Sequence, residues 1–229
     1  MKYVIAGIFS IFFLFSIGLA AEKPDLKDRR QKESYSLGFQ FGRNMQYQGV
    51  DIDLETYAAG VRDGLGNQEP RMTDEEIRSV LQDFQQRLAK ARQESLKAQA
   101  EKNLAAGTTF LVENSKKDGV KTLPSGLQYK VLSEGSGKMP KASDTVTVHY
   151  RGTFIDGSEF DSSIARGQAA SFQVNRVIAG WTEALQLMKE GSRWMLFIPP
   201  GLAYGERGAP PRIPPQSTLV FEVELISIK

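Results

Sequence analysis

Residues 145–163 read TVTVHYRGTFIDGSEFDSS and contain the clearest strand pattern of the chain. The first six residues alternate between polar and apolar side chains, and most are β-branched, which is typical of a strand with one buried face. Asp156-Gly157 is a turn signal, so we expect the chain to reverse there. The stretch therefore predicts a strand of an antiparallel sheet followed by a turn.

Two further runs, residues 127–132 and 218–226, have the same strand character. Turns rich in glycine and proline separate the runs, and one helical patch, residues 180–188, lies between them. We predict an α+β domain over residues 120–229, in which an antiparallel sheet packs on one short helix.

The N-terminal half has a helical and polar pattern. Apolar side chains at helical spacing, with Asp53 as a helix cap, predict two short helices in a helical region of residues 22–72. A capping box that starts at Thr73 then opens a stripe of apolar residues spaced four and three apart, which predicts a long connecting helix within residues 73–119. We expect Gly107 to be the weakest point of that helix.

The two short helices are too small to form a stable domain comfortably by themselves. We expect them to bury their apolar faces against a second chain, which would make the protein a homodimer through its N-terminal helices. Gly38 and Gly42 lie four residues apart on one helix face. They would permit close helix packing, either between two chains or within one.

Residues 1–21 have the pattern of a secretory signal peptide. Lys2 precedes an uncharged apolar run, and small residues end it, so we expect cleavage after Ala20 or Ala21. The alternative is an uncleaved anchor, since about 19 apolar residues just suffice to span a bilayer.

Composition excludes several kinds of chemistry. The 229 residues include 29 Lys and Arg against 27 Asp and Glu, which gives no case for a nucleic-acid partner. Cysteine is absent and His149 is the single histidine, so disulfides, thiolate catalysis and Cys-ligated metals are excluded. Asp156, Glu159 and Asp161 lie close in sequence, but hairpin turns commonly carry such residues. We expect no metal site and no cofactor.

The notable residues that remain are aromatic and aliphatic side chains beside turns, and six segments contain or flank them. In chain order these segments are VHYRG (148–152), DGSEFDSS (156–163), VIAGW (177–181), LAYG (202–205), IPP (213–215) and LVFEVEL (219–225). They closely resemble the FK506-binding family of peptidyl-prolyl cis-trans isomerases. The helical half resembles the dimerisation module and long connecting helix of the macrophage infectivity potentiator group, which are exported bacterial members of that family.

The resemblance implies a half-barrel sheet wrapped on a short helix, with a pocket between them. It implies an enzyme that accelerates the folding of exported proteins by twisting X–Pro bonds, with no covalent intermediate and no cofactor. Its partners would be unfolded or proline-containing exported polypeptides, and macrolide inhibitors of the FK506 type. The expected location is the periplasm of a Gram-negative bacterium, with association to the outer membrane left open.

The resemblance also assigns roles to individual residues. Trp181 would form the pocket floor, the Tyr204 hydroxyl and the Ile178 backbone N–H would donate to substrate carbonyls, and Asp161 would be a polar wall residue near the twisting carbonyl. The apolar walls would be Tyr150, Phe160, Val177, Ile178, Ile213 and Phe221.

Three positions depart from the pattern of eukaryotic family members. Ala170 stands where an aromatic wall residue is common, Ala209 where histidine is common, and Arg212 where a second isoleucine is common. We expect a wider and more polar pocket on the loop side. The affinity for macrolide inhibitors and the preference for the residue before proline stay open.

An alternative function is that of a holdase chaperone or binding module. Such a protein would grip exposed proline-containing segments of unfolded clients without needing turnover. A dimer with two pockets that face a shared cleft could bind one client at both. Loss of isomerase activity without loss of aggregation suppression would separate the two functions.

Overall fold

The computed structural model describes residues 25–66 and 68–229. The chain divides into two compact units, one ending at Thr73 and the other running from Asp74 to Lys229. The signal peptide predicted for residues 1–21 lies outside the described residues. Within the described residues, every helix is too short or too polar to cross a bilayer.

The described part of the N-terminal unit contains two helices, α1 (Arg29–Tyr47) and α2 (Leu54–Leu65). Asp53 caps α2, as predicted, by accepting a hydrogen bond from the Thr56 N–H at 2.7 Å. The helices meet where the Phe41 and Tyr57 rings stack with centroids 4.5 Å apart. In this described part of the unit, α1 and α2 bury none of their residues.

Helix α3 (Asp74–Asn114) opens the second unit and has 41 residues, which makes it about 62 Å long at ~1.5 Å per residue. It runs through Gly107 without a break, and the expectation that this is the weakest point of the helix stays a prediction. The glycine has a packing role: a Cβ on Gly107 would lie 2.2 Å from the Thr218 Oγ1, so this turn approaches the residue before β7 too closely for a side chain.

The end of α3 is fixed to the sheet by amide hydrogen bonds. The Asn114 Nδ2 donates to the Gln128 Oε1 at 2.9 Å, and the Gln128 Nε2 donates to the Leu111 carbonyl at 2.9 Å. Both side chains are buried, and this mutual pairing satisfies polar groups that would otherwise be costly to bury.

The described part of the second unit contains seven strands in one antiparallel sheet, which confirms the predicted α+β class. Their order is β1-β2-β6-β7-β3-β4, and β5 pairs with β3. The strands are β1 (Val120–Thr122), β2 (Gln128–Ser133), β3 (Thr145–Phe154), β4 (Glu159–Ser162), β5 (Ala170–Gln173), β6 (Arg193–Ile198) and β7 (Leu219–Ile228).

The short helix α4 (Ala179–Leu185) packs on one face of this sheet. The core between them includes Leu185, Leu196 and Val223, each with no exposed surface. The helix is shorter than the predicted patch of residues 180–188, because the chain leaves the helix at Gln186. Its first turn carries Trp181, and this placement positions the candidate site.

Candidate functional site

Trp181 is the centre of an aromatic cluster, and its side chain is 4% exposed. Three rings stand nearly perpendicular to the indole: Tyr150 on β3 at 5.3 Å, Phe172 on β5 at 5.8 Å and Phe221 on β7 at 5.3 Å between centroids. Edge-to-face packing of this kind is favourable beyond the burial of area. These four rings come from three strands and one helix, and we call them the Trp181 cluster.

Phe160 on β4 extends this cluster. Its ring is T-shaped to Phe221 at 5.5 Å and tilted against Phe154 at 5.0 Å. Gly152 makes the contact possible, because a Cβ there would lie 2.7 Å from the Phe160 ring and 2.8 Å from the Phe221 ring. The pairing of β3 with β4 also shifts register between Gly152 and Thr153. A side chain at Gly152, the glycine of the segment VHYRG, would therefore collide with both rings.

A polar network lies beside the rings. The Tyr150 hydroxyl donates to the Asp161 Oδ2 at 2.6 Å, and the Arg166 Nη2 donates to the Tyr150 hydroxyl at 2.9 Å. The Arg166 Nη1 forms an ion pair with the Asp161 Oδ1, and its guanidinium lies 5.6 Å from the centre of the Tyr150 ring. The one carboxylate of this network is thus neutralised by its neighbours.

Burial and hydrogen bonding act in opposite directions on Asp161. Burial alone would raise the pKa of the carboxyl, but the hydrogen bonds from Tyr150 and Arg166 and the Arg166 charge outweigh it and lower the pKa below its ordinary value. Burial, followed by the hydrogen bond to Asp161, raises the pKa of Tyr150. At neutral pH Asp161 is therefore ionised and Tyr150 keeps its proton.

Tyr204 lies on the loop after β6 and is 40% exposed. Burial and then the Asp161 charge raise the pKa of its phenol, so the hydroxyl stays protonated at neutral pH. Among the described residues no acceptor is bonded to this hydroxyl, which leaves it able to donate to a bound molecule.

The remaining predicted residues belong to the same core or pack against it. Ile213 is 6% exposed, and paired backbone hydrogen bonds with Ala209 at 2.8 and 3.0 Å fix it. Val177 and Ile178 are half-buried against the same core. Within the described residues the Ile178 N–H has no backbone or side-chain acceptor, as expected for the residue that opens α4.

The three departures from the family pattern differ in position. Ala170 and Ala209 are half-buried against the core, whereas Arg212 is exposed. Phe172 lies two residues beyond Ala170, on the same face of β5, and contacts Trp181. Sequence reasoning missed Phe172 and Arg166. Alternation along β5 was a signal for the first, but nothing local was a signal for the second.

The chemistry available to this site is non-covalent. His149 precedes Tyr150 on β3, so its side chain is on the opposite face of the sheet, where the Nδ1 lies 3.2 Å from the Ser163 Oγ. Across residues 25–66 and 68–229, His, Asp and Glu form no group of three suited to a metal ion. Apolar rings, two available donors and one neutralised acid can bind and polarise a neutral peptide.

The chain matches two protein families along its length. Residues 136–226 match the FKBP-type peptidyl-prolyl cis-trans isomerases, and residues 30–131 match the domain amino terminal to that isomerase. It is 44% identical to the "Outer membrane protein MIP" of Legionella longbeachae, over 100% of this chain and 98% of the relative. It is 43% identical to the peptidyl-prolyl cis-trans isomerase Mip of Coxiella burnetii, over 100% of this chain and 99% of the relative.

A solved structure agrees with these matches. The crystal structure of FkpA from Escherichia coli is similar with a TM-score of 0.71 at 43% identity, covering 89% of this chain and 98% of that one. The fold, both family matches and the identity over whole chains point the same way: this chain belongs to the FKBP-type peptidyl-prolyl cis-trans isomerases.

Proposed function

We propose that the isomerase reaction takes place on the Trp181 cluster, with the proline ring of the substrate seated against the indole. The observation that supports this is the set of three rings standing nearly perpendicular to Trp181. A flat apolar floor with upright walls fits a small saturated ring. Phe160, Val177 and Ile213 would complete the walls.

The reaction needs no covalent step. Rotation about an X–Pro bond must break amide resonance against a barrier of about 18–20 kcal/mol. The planar amide is more dipolar than the twisted one, so water stabilises the planar form more, and an apolar site favours the twisted form in relative terms. Donors that fit only the twisted geometry add differential binding to the transition state.

Each polar group then has a role. We assign the Tyr204 hydroxyl and the Ile178 N–H as donors to substrate carbonyls, and Asp161 as the polar wall near the twisting carbonyl. The bonds from Tyr150 and Arg166 hold the Asp161 carboxylate in place. Catalysis would come from positioning and polarity alone.

The test compares the two tryptophans of the chain. Trp181 and Trp194 are both 4% exposed, but Trp194 stacks on Tyr129 at 4.4 Å, away from the three perpendicular rings. Trp181→Phe should lower kcat/KM for a proline tetrapeptide about tenfold or more, whereas Trp194→Phe should only lower the melting temperature. Equal activity losses in the two folded variants would contradict the proposed site.

Tyr204→Phe tests the hydroxyl separately. The side chain is partly exposed, so the variant should keep the wild-type melting temperature. Loss of one aimed donor should lower kcat/KM about two- to tenfold. An unchanged kcat/KM would remove Tyr204 from the reaction.

We propose that the same site also binds macrolide inhibitors of the FK506 type. An FK506-type macrolide should compete with the peptide and change the fluorescence of the wild type but not of Trp181→Phe. Ala170 on β5 and Arg212 on the turn before Ile213 favour weaker binding than in eukaryotic members, because they replace apolar contact area. Tetrapeptides that differ in the residue before proline would measure how these two positions affect substrate preference.

The N-terminal helices support a second proposal, that the protein is a homodimer through α1 and α2. Their apolar side chains are open in a single chain: Leu37 is 75% exposed, Leu54 72% and Leu65 82%. Two short helices with no buried residue in their described length have little to hold them folded alone. A second copy offers the same apolar faces by symmetry.

Sedimentation velocity tests this assembly. Leu37→Glu should dissociate the dimer, whereas Leu37→Met, which keeps an apolar side chain of similar volume at the same position, should leave it intact. Both variants should keep the wild-type kcat/KM on a short peptide. A wild type that sediments as a monomer at micromolar concentration would overturn the proposal.

The relatives and the N-terminal sequence support a proposal on location and clients. A relative named as an outer membrane protein, together with the signal pattern of residues 1–21, supports export to the envelope of a Gram-negative bacterium. We propose the periplasm as the site of action and unfolded, proline-containing exported polypeptides as clients. Fractionation of the native host, with a cytoplasmic marker as control, tests the location.

Holdase activity is the other candidate, and the exposed apolar side chains of α1 and α2 are the observation that favours it. Tyr204→Phe with Asp161→Asn should remove most turnover. If this double variant still suppresses aggregation of an unfolded client, and Leu37→Glu does not, the helices have a separate chaperone function.

A further inference from the structure

The C-terminal half of α3 lies against the loop that leads into β7. The Asn103 Nδ2 donates to the Pro215 carbonyl at 2.8 Å, although the two residues are 112 positions apart. One turn later, the backbone at Gly107 approaches Thr218 so closely that a Cβ would collide with the Thr218 Oγ1. The helix is therefore in direct contact with both ends of the segment from Pro215 to Thr218.

This segment is connected to the proposed donor Tyr204. Gln216 follows Pro215, and its N–H donates to the carbonyl of Gly205 at 2.8 Å. Gly205 is the residue after Tyr204. Asn103 on α3 thus binds the carbonyl of Pro215, and the next residue, Gln216, makes the hydrogen bond that holds the chain beside Tyr204.

The conformation of Gln216 indicates that the segment is held from outside. It is the one non-glycine residue with positive φ among the described residues, at 55°. A residue with a Cβ rarely adopts this conformation unless its surroundings impose it. The Asn103 bond to the Pro215 carbonyl and the bond from the Gln216 N–H to Gly205 fix both ends of the peptide group that precedes the Gln216 Cα, so this backbone is held by contacts from outside the segment.

The loop also positions a wall residue. Ile213 lies two residues before Pro215 and is held by its paired hydrogen bonds with Ala209. The Ser217 hydroxyl donates to the Pro214 carbonyl at 2.8 Å, which stiffens the stretch between them. The loop therefore links α3 to Ile213 on one side and to Tyr204 on the other.

We propose that Asn103 is a positioning residue of the isomerase site: through Pro215 and Gln216 it sets where Tyr204 and Ile213 stand. This inference rests on the proposed function of Tyr204 and Ile213 as donor and wall. Helix α3 then contributes to the geometry of the site in addition to connecting the helical region to the sheet. Gly107 is the residue that lets the helix approach the segment from Pro215 to Thr218.

Asn114 provides a matched control. It is an asparagine on the same helix, and its Nδ2 also joins α3 to the sheet, but its partner is Gln128 on β2. It is the more buried of the two, at 1% exposure. Alanine favours helix at least as well as asparagine, so neither Asn103→Ala nor Asn114→Ala weakens α3 by propensity.

The experiment measures kcat/KM of the full chain with two tetrapeptides that differ only in the residue before proline, well below the melting temperature. Asn103→Ala should lower kcat/KM about two- to tenfold and change the ratio between the peptides, because both Tyr204 and Ile213 shift. Asn103→Asp, which keeps the shape but removes the donor, should do the same. Asn114→Ala should lower the melting temperature more and leave kcat/KM and the ratio unchanged.

Equal kcat/KM in Asn103→Ala and wild type would overturn the inference and leave the proposed function intact. So would equal losses in Asn103→Ala and Asn114→Ala, since these would indicate general loosening. A wild type without turnover would instead overturn the proposed function. In that case NMR spectra decide the inference: the amide resonances of Gly205 and Ile213 must shift in Asn103→Ala and stay unchanged in Asn114→Ala.

Discussion

Leucine side chains are exposed on the N-terminal helices and buried in the core of the second unit. In α1 and α2, Leu37 and Leu65 are 75% and 82% exposed, whereas Leu185 on α4 and Leu196 on β6 have no exposed surface. The second unit closes a core from its own strands and helix, and the described N-terminal helices close none. The same side chain therefore stabilises the fold of one chain in one unit and is available to a second chain in the other.

The largest expected difference between the two units is in the free energy of unfolding. Leu196→Ala should lower the free energy of unfolding by about 2–5 kcal/mol, because it leaves a cavity in a packed core. The matched change Leu37→Ala should act only through the proposed dimer. Urea unfolding at two protein concentrations checks both: the cost of Leu196→Ala stays constant, and that of Leu37→Ala disappears on dilution. A concentration-independent cost for Leu37→Ala would contradict the comparison.

The next effect concerns the close contact of rings over β3. Gly152→Ala places a methyl group within 3 Å of Phe160 and Phe221, and overpacking of this kind should cost about 1–3 kcal/mol of stability. Because both rings are proposed pocket walls, kcat/KM should fall with it, about tenfold or more. Thermal melts and the tetrapeptide assay measure the two effects.

A control for Gly152 comes from the other unit. Gly38→Ala on α1 meets no atom within 4 Å in a single chain and should leave kcat/KM unchanged. If Gly38→Ala weakens the dimer, its glycine serves packing between chains, which would decide between the two roles left open for Gly38 and Gly42. A loss of kcat/KM in Gly38→Ala would contradict the separation of the two units.

Most of the fold was predictable because its elements have local patterns. Alternation identified β3 and β7, and Asp53 marked the start of α2. Strand β6 was missed because RWMLFI is a nearly continuous apolar run, and such a run has no period that separates strand from helix. The run is apolar on both faces because Trp194, Leu196 and Ile198 face the core, whereas Phe197 on the other face lies against Phe110 of α3 with ring centroids 6.0 Å apart.

The residues proposed for the site came from the family resemblance and not from local pattern alone. Trp181, Tyr150 and Phe221 come together only when β3 pairs with β7 and α4 packs on the sheet, so the sequence by itself marks them as core residues. Arg166 lies 16 positions from Tyr150, and Asn103 lies 112 positions from Pro215. Such contacts depend on loop paths, and no spacing rule connects the partners.

A smaller effect is expected from pH. The pKa of Asp161 is lower in the folded protein than in the unfolded chain, so the carboxylate stabilises the fold above about pH 4 and this contribution is lost as the pH falls further. The pKa values of Tyr150 and Tyr204 are raised, so their protonated forms persist up to about pH 10. We expect kcat/KM to be flat between about pH 5 and 9.

Asp161→Asn tests the acid limb. The variant cannot ionise, so its kcat/KM should be lower at neutral pH and its stability should lose the part of the acid dependence that Asp161 supplies. Glu159→Gln is the matched control, since Glu159 lies on the same strand but pairs with Arg151. An acid limb of equal size in Asp161→Asn and wild type would show that another group titrates there.

The smallest effect on activity is expected from the cap of α2. Asp53→Ala removes the acceptor of the Thr56 N–H, and without it the first turn of the helix should fray. The lost hydrogen bond lies in the N-terminal unit, whereas every proposed site residue lies in the unit that starts at Asp74. Helical circular dichroism and dimer affinity should therefore fall while kcat/KM on a tetrapeptide stays at the wild-type value. A parallel loss of kcat/KM would mean that the N-terminal unit acts on the site, and the two regions could no longer be treated as independent.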